Sequence, residues 1–204
     1  MSKISCPHCG STNTCRIMYG MPALTDKLER DLDAGKISLG GCIVSVNDPN
    51  RHCNDCETNF DTNAPNIYLD IDGVLLANDL TAANHATDFL KHVLTEYPYT
   101  TYWLTTHCQG DASVPIQHIG HLLDKETVEV MKQIKPTTWQ TAKTRAIDFS
   151  EPFLWFDDDL FHEEKQTLIE HGVLDNWIEV NLSKDPDQLA KFITSFPIPV
   201  SNTQ

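Results

Sequence analysis

Two aspartates, Asp70 and Asp72, follow a short apolar segment at residues 67–69. Carboxylates two positions apart at the end of a strand point to the same side, and Gly73 permits a sharp turn after them. A carboxylate can attack phosphorus and form an aspartyl-phosphate if a divalent cation offsets the charge repulsion and a second acid protonates the leaving group. Asp70 suits the first role and Asp72 the second, so this segment predicts a site for phosphoryl transfer.

Sulfur ligands form a second group of candidates. Four of the seven cysteines stand in two C-x-x-C pairs, which are Cys6, Cys9, Cys53 and Cys56. Four thiolates suit tetrahedral Zn²⁺, and a closed shell of four ligands predicts a structural ion. A redox C-x-x-C is the alternative, but that motif usually occurs once, at a helix start after a strand. His8, inside the first pair, and His52, just before the second, are weaker candidates to replace a cysteine.

The elements that must position the aspartates follow a polar break at residues 59–66. Short apolar or aromatic runs predict strands at residues 67–71, 101–104, 153–156 and 177–182. Apolar residues at helical spacing predict helices at residues 82–96, 124–134, 162–171 and 186–196, the last with Pro186 in its first turn. This alternation predicts an α/β domain with a parallel sheet and helices on both faces, whose ligands bind beyond the carboxyl ends of the strands.

Residues 70–75, which read D-I-D-G-V-L, resemble the first motif of the haloacid dehalogenase (HAD) superfamily of phosphohydrolases. Three further motifs of that family find matches in the same order along the chain. Thr105 ends the second predicted strand, Lys143 precedes the third, and three aspartates at residues 157–159 follow it. The order and spacing match over residues 65–204, so the resemblance covers the whole second domain, residues 61–204, and implies a HAD-like Rossmannoid fold for it.

The resemblance also implies a Mg²⁺ site made of carboxylates. Asp70 would be the nucleophile and a metal ligand, and Asp72 would be the general acid and base, with its backbone carbonyl on the metal. Asp157 and Asp158 would complete the site, although the run of three aspartates leaves open which of them binds the ion. Oxygen ligands of this kind suit Mg²⁺.

Two further roles follow from the same resemblance. Thr105 would bind the phosphoryl oxygens through its hydroxyl and its backbone N–H. Lys143 would neutralise charge on the nucleophile and the phosphate, with Lys135 as the alternative lysine. The short separations between the motifs leave no room for the cap domain that many HAD phosphatases carry, so the resemblance implies an open site.

Residues 107–123 are predicted to be the longest irregular stretch of this domain and a candidate specificity loop. The alternative is an ordinary surface connection. His107, His118 and His121 lie in it and could line a pocket, although histidines at such positions are more often surface or packing residues.

The first 60 residues are predicted to form a small, loop-rich module. Residues 4–60 resemble a small bacterial zinc-ribbon family in the stretches CPHCGST, IMYGMP and LGGC. The resemblance implies a zinc fold and says little about function. A helix at residues 24–34 and a Gly-Gly turn at residues 40–41 are predicted between the two C-x-x-C pairs.

The overall charge narrows the classes of partner. The chain of 204 residues carries a formal net charge of −14, which repels polyanions over long range and disfavours nucleic acid. No apolar run has the length of a membrane helix and no signal-like segment begins the chain, so a cytoplasmic protein is expected. The leading hypothesis is a phosphatase acting on a phosphorylated small metabolite or nucleotide. The alternatives are a phosphatase of nucleic-acid ends and a non-catalytic zinc-ribbon adaptor with a HAD scaffold.

Overall fold

The computed structural model describes residues 4–43, 48–77 and 80–199. The chain divides into two compact units, Met1–Ala64 and Pro65–Gln204. This division falls within the polar stretch at residues 59–66, where the sequence predicted a boundary between residues 60 and 61. Within the described ranges, no helix is both long enough and apolar enough to cross a membrane.

The first unit contains a four-stranded sheet. Its strands are β1 (Thr14–Met18), β2 (Ile37–Leu39), β3 (Arg51–Cys53) and β4 (Asn59–Phe60), in the order β2-β1-β3-β4. β1 and β2 are parallel, whereas β1–β3 and β3–β4 are antiparallel. The sequence did not predict this sheet, because strands of two to five residues are too short for an alternating pattern to stand out.

Helix α1 (Asp26–Asp33) lies between β1 and β2, where the sequence predicted a helix. The Thr25 hydroxyl accepts a hydrogen bond from the Leu28 backbone N–H at 3.2 Å, which caps the first turn. Leu28 is the buried residue of this helix, and Leu32 is half-buried. Burial of these leucines and the Thr25 N-cap both stabilise the helix.

The second unit contains a parallel sheet. Its strands are β5 (Asn66–Leu69), β6 (Thr101–Trp103), β7 (Phe153–Asp157) and β8 (Trp177–Glu179), in the order β6-β5-β7-β8. All three pairings are parallel. The four predicted strands are present, but β8 ends at Glu179 rather than at residue 182.

Five α-helices occur in the described part of this unit: α2 (Ala86–Glu96), α3 (Ser113–Ile119), α4 (Lys125–Met131), α5 (His162–Glu170) and α6 (Gln188–Thr194). The Asp124 carboxylate caps α4, since it accepts from the Thr127 N–H at 3.0 Å. The prediction for Pro186 is wrong, because α6 begins at Gln188 and the proline precedes it.

Helix α3 contradicts the prediction that residues 107–123 are irregular. The Asp111 carboxylate accepts from the Ser113 N–H at 2.8 Å and starts the helix. Pro115 stands in the first turn, where its missing N–H needs no partner. Ile119 at the end of the helix is 1% exposed and belongs to the core. The burial of Ile119 therefore holds a helix where the sequence predicted an irregular stretch.

Alternate residues of β5 face two different hydrophobic clusters. Ile67 and Leu69 pack with Phe89 of α2, whereas Tyr68 packs with Leu168 of α5. Because neighbouring side chains of a strand point to opposite faces, helices cover both faces of the sheet. The prediction of an α/β domain with a parallel sheet and helices on both faces is confirmed.

Candidate functional site

Asp70 lies at the carboxyl end of β5, immediately after the last residue of the strand. Its backbone N–H donates to the Phe156 carbonyl at 3.0 Å, which ties it to the end of β7. Its carboxylate is buried, and one oxygen accepts from the Ile71 N–H at 2.7 Å. Backbone bonds therefore fix Asp70 in the crevice where parallel sheets bind their ligands.

Asp70, Asp157 and Asp158 form what we call the acidic cluster. One carboxylate oxygen of each lies within 4.8 Å of the others. Asp157 is the last residue of β7 and is 1% exposed, and Asp158 follows it into the crevice. Three oxygen ligands at this spacing could hold Mg²⁺.

Gly73 makes room for Asp158. A Cβ atom built on Gly73 would lie 2.2 Å from Cγ of Asp158, and the glycine has a φ of +74°. Both observations require glycine at this position. The turn after β5 therefore packs directly against the third aspartate of the acidic cluster.

Lys143 is the cation of the acidic cluster. Its Nζ donates to Oδ2 of Asp70 at 2.6 Å and to Oδ2 of Asp157 at 2.5 Å. The indole N–H of Trp155 donates to the same Asp157 oxygen at 2.8 Å. When all three aspartates are ionised, the single ammonium leaves a net charge of −2. A divalent cation would neutralise this charge.

Burial and charge shift the protonation of these groups. Burial and the Asp70 carboxylate raise the pKa of Asp157 to about 7. The same two causes raise the pKa of Asp158. Burial lowers the pKa of Lys143, but Asp70 and Asp157 outweigh it, so the pKa of the ammonium lies above its ordinary value. The crevice holds more carboxylate charge than Lys143 can neutralise, and a bound cation would relieve it.

Glu164 holds the backbone of Lys143 in place. It is 2% exposed, and one carboxylate oxygen accepts from the Lys143 N–H at 2.7 Å. The other oxygen accepts from the Phe161 N–H at 3.2 Å, at the start of α5. Sequence reasoning missed Glu164, because a glutamate in the first turn of a helix is an ordinary N-terminal residue. Lys135, the alternative lysine, lies with its Nζ 5.4 Å from the ring centre of Tyr102.

Thr105 follows β6 at the same edge of the sheet as Asp70. The Leu104 N–H donates to the Leu69 carbonyl at 2.8 Å, which aligns the ends of the two strands. Thr105 is fully buried, and its hydroxyl accepts from the His107 N–H at 3.4 Å. The structure therefore brings Asp70, Lys143 and Thr105 to one edge of the sheet.

Asp72 has different partners from Asp70. Its side chain is 52% exposed, and its Oδ2 lies 2.8 Å from Nε2 of His107. Its Oδ1 lies 3.7 Å from Nε2 of His118. β5 ends at Leu69, so the alternation that would point both aspartates to the same side stops before Asp70.

A cavity of about 380 Å³ lies beside the acidic cluster. Its described lining consists of polar and small apolar residues, which are Gly73, Ala77, Asp158, Val180, Asn181, Leu182 and Ser183. The cavity shares Asp158 with the acidic cluster, so a molecule bound there would reach the carboxylates. Its volume suits a small metabolite.

The four predicted cysteine ligands meet in the first unit. The Sγ atoms of Cys6 and Cys56 are 3.7 Å apart, and those of Cys9 and Cys53 are 3.6 Å apart. All four Sγ atoms lie within 4.8 Å of one another and none forms a disulfide. Tetrahedral Zn²⁺ with Zn–S bonds of about 2.3 Å separates its sulfurs by about 3.8 Å. This four-cysteine cluster therefore has the dimensions of a zinc site.

The histidines near these cysteines take other positions. Nδ1 of His8 lies 3.2 Å from the Thr58 hydroxyl, which in turn lies 3.4 Å from Sγ of Cys56. Thr58 and then His8 lower the pKa of the Cys56 thiol to about 5, which favours the thiolate that a metal needs. Nδ1 of His52 lies 2.7 Å from the Asn59 side chain.

No protein-family model, curated protein or solved structure matches this chain. The resemblances to HAD phosphohydrolases and to zinc ribbons therefore stay predictions made from motifs. The geometry of the acidic cluster carries the case for a function.

Proposed function

We propose that the second unit is a Mg²⁺-dependent phosphohydrolase of the HAD type, which hydrolyses a phosphate monoester through an aspartyl-phosphate on Asp70. The observation that carries this proposal is the Lys143 ammonium, buried between the carboxylates of Asp70 and Asp157. Phosphoryl transfer to a carboxylate needs a nucleophile, a counter-cation and metal ligands in one place. The acidic cluster and Lys143 supply all three.

The order of the motifs along the chain supports the HAD assignment. The nucleophile follows the first strand of the parallel sheet, Thr105 follows the second, and Asp157 ends the third. Lys143 comes from the segment just before that third strand. Acidic residues clustered by chance would not be expected to follow successive strands in this order. The order therefore favours a HAD-like Rossmannoid domain over an ordinary acidic surface.

In the first half of the reaction, the Asp70 carboxylate attacks phosphorus. The new bond joins an Asp70 oxygen to phosphorus, and the bond from phosphorus to the alcohol oxygen breaks. Asp72 gives its proton to the departing oxygen. Lys143 keeps the nucleophile oriented and offsets its charge, and Thr105 binds a phosphoryl oxygen.

In the second half, a water molecule attacks the phosphorus of the aspartyl-phosphate. Asp72 accepts a proton from this water, so it returns to its starting state. The bond from Asp70 to phosphorus breaks and inorganic phosphate leaves. Mg²⁺, held by Asp70, Asp157 and Asp158 with the Asp72 carbonyl, would reduce the repulsion between the nucleophile and the phosphate.

The cavity and the charge of the protein favour a small substrate. The cavity beside Asp158 has the volume of a metabolite or a nucleotide fragment. A net charge of −14 opposes the approach of a polyanion such as RNA or DNA. The proposed substrate is therefore a phosphorylated small molecule. In the first unit, we propose that the four-cysteine cluster holds one structural Zn²⁺ in a zinc-ribbon fold.

The test is hydrolysis of p-nitrophenyl phosphate and of a panel of phosphorylated metabolites, with and without Mg²⁺. The proposal predicts turnover that needs Mg²⁺ and falls about a thousandfold or more in Asp70→Asn. Asp175→Asn is the matched control, because Asp175 is exposed and lies outside the cluster. Turnover that survives in Asp70→Asn would overturn the assignment of the nucleophile.

A further inference from the structure

The two histidines that meet Asp72 form what we call the histidine pair, His107 and His118. Their rings stack with centres 3.7 Å apart and planes 21° apart. His107 comes from the turn after β6, and His118 comes from α3. The phosphatase mechanism proposed above gives neither histidine a task, although both face its acid.

Asp72 needs an external support to act as an acid. Its side chain is 52% exposed, so it is free of the packing that holds Asp70. An exposed aspartate exchanges between staggered rotamers, and only one of them directs the carboxyl towards the leaving oxygen. The contact between His107 Nε2 and Asp72 Oδ2 at 2.8 Å selects one orientation.

The contact also gives the two carboxylate oxygens of Asp72 different surroundings. Oδ2 is occupied by His107, whereas Oδ1 lies 3.7 Å from His118 Nε2, which is beyond hydrogen-bond distance. Oδ1 is therefore the oxygen left to carry the proton to and from the substrate. A donor on Oδ2 keeps that proton on the reactive side.

His107 is itself held on two sides. Its backbone N–H donates to the Thr105 hydroxyl at 3.4 Å, a long bond that links it to the phosphate-binding residue. Its ring lies against the His118 ring, and His118 is fixed by α3, whose neighbouring Ile119 is 1% exposed. The position of Asp72 thus depends on α3, the helix that the sequence did not predict.

The same three side chains could instead bind a transition metal, since one ligand atom of each lies within 4.8 Å of the others. The stack argues against this. In two nearly parallel imidazole rings, the lone pairs of the Nε2 atoms point in nearly parallel directions. A metal ion shared by both rings needs these lone pairs to converge on one point. A hydrogen-bonded support agrees better with the observed geometry.

We infer that His107 is a positioning residue that holds Asp72 as the acid for the leaving group, and that the His118 ring fixes His107. This inference rests on the proposed phosphatase function. It predicts that loss of His107 lowers kcat/KM most for substrates whose leaving group must be protonated. Phenolate needs that proton to depart, whereas dinitrophenolate departs without one.

The experiment compares kcat/KM for phenyl phosphate and 2,4-dinitrophenyl phosphate in wild type and three variants. His107→Ala should lose about a hundredfold on phenyl phosphate and less than about threefold on the dinitrophenyl ester. His107→Gln places an amide N–H near the site of Nε2 and should recover most of the loss. His121→Ala, an exposed histidine on the same segment, should behave like wild type.

Each outcome separates the inference from the proposed function. Equal losses on both esters, or no recovery in His107→Gln, would overturn the positioning role while the phosphatase stands. A metal ion that is bound by wild type and lost in His107→Ala, measured by elemental analysis, would replace the support with a metal site. A wild type that hydrolyses neither ester and forms no phosphoryl-enzyme with either would reject the function, and the inference with it.

Discussion

The two units place their candidate metal ligands differently with respect to their hydrophobic cores. In the first unit, Cys6 and Cys53 are themselves core residues, 2% and 0% exposed, and they pack with Phe60. In the second unit, the acidic cluster stands at the edge of a sheet whose core holds large residues such as Trp103 and Phe156. Two of the four sulfur ligands are therefore part of a core, whereas the carboxylates lie at the edge of one.

The difference in the cores predicts a different role for the metal of each unit. A unit of about 60 residues with a small core is marginally stable and commonly gains stability from a metal or a disulfide, and the described cysteines form no disulfide. The second unit buries enough apolar surface to fold without an ion. We therefore expect zinc to control folding in the first unit, and magnesium to control chemistry in the second.

The largest expected effect is the loss of the first unit without zinc. Elemental analysis should find about one zinc per chain, and Cys6→Ser with Cys9→Ser should remove it. Hydrogen exchange should then become fast over β1 to β4, while β5 to β8 stay protected. Cys42→Ser, which changes an exposed cysteine outside the cluster, should leave both units protected. If the amides of β1 to β4 stayed protected from exchange in zinc-free protein, zinc would not control folding of the first unit.

The next effect concerns Lys143, whose removal leaves buried carboxylates without their cation. Lys143→Met should abolish turnover and lower the free energy of unfolding by about 3 kcal/mol in Mg²⁺-free buffer. Added Mg²⁺ should recover part of the stability and none of the turnover. Lys132→Met, whose ammonium bonds Glu129 on the surface, is the control and should change neither. A stable, active Lys143→Met protein would show that neither folding nor turnover depends on this ammonium.

A third effect is a pH dependence confined to the second unit. The folded protein binds the Asp157 proton more tightly than the unfolded chain does, because its pKa is about 7 rather than 3.8. The stability contributed by this proton is complete below about pH 4 and is lost as the pH rises through 7. Metal-free protein should therefore show this loss in thermal melts, and Mg²⁺ should offset it at pH 7 and above. A melting profile that Asp157→Asn leaves unchanged would contradict the expectation.

The smallest effect separates backbone strain from crowding at the proposed Mg²⁺ site. Gly73 and Gly172 both have positive φ, +74° and +68°, but only Gly73 has Asp158 against the position of its missing Cβ. Gly172→Ala should lower the free energy of unfolding by about 1 kcal/mol through backbone strain alone, and Gly73→Ala should lower it by more, because crowding adds to the strain. Gly73→Ala should in addition weaken Mg²⁺ binding about tenfold or more, measured by calorimetry. Equal Mg²⁺ affinity in the two variants would remove Gly73 from the site.

Sequence patterns predicted the second unit better than the first, for physical reasons. β7 is buried along its whole length, so it appears in the sequence as an unbroken apolar run. The strands of the first unit are too short to show a period. Helix α3 was missed because Pro115 resembles a helix breaker, although a proline in the first turn is tolerated.

The candidate site was predictable only where a motif carried it. Asp70, Thr105 and Asp157 could be located because each stands at the end of a recognisable strand, and Lys143 because it precedes one. The pairing of Asp72 with His107 joins residues 35 positions apart, and no local pattern contains it. The same holds for Glu164, whose role appears only once α5 is packed beside the segment of Lys143.

The most direct test of the central claim is to trap the covalent intermediate. The protein is mixed with Mg²⁺ and a phosphate ester that it hydrolyses, and the reaction is quenched in acid. The protein is then reduced with borohydride and digested for mass spectrometry. Reduction converts an aspartyl-phosphate to homoserine, so we predict homoserine at position 70 in wild type and none in Asp70→Asn. Turnover of the ester without modification of Asp70, or with the phosphoryl group on another residue, would contradict the account.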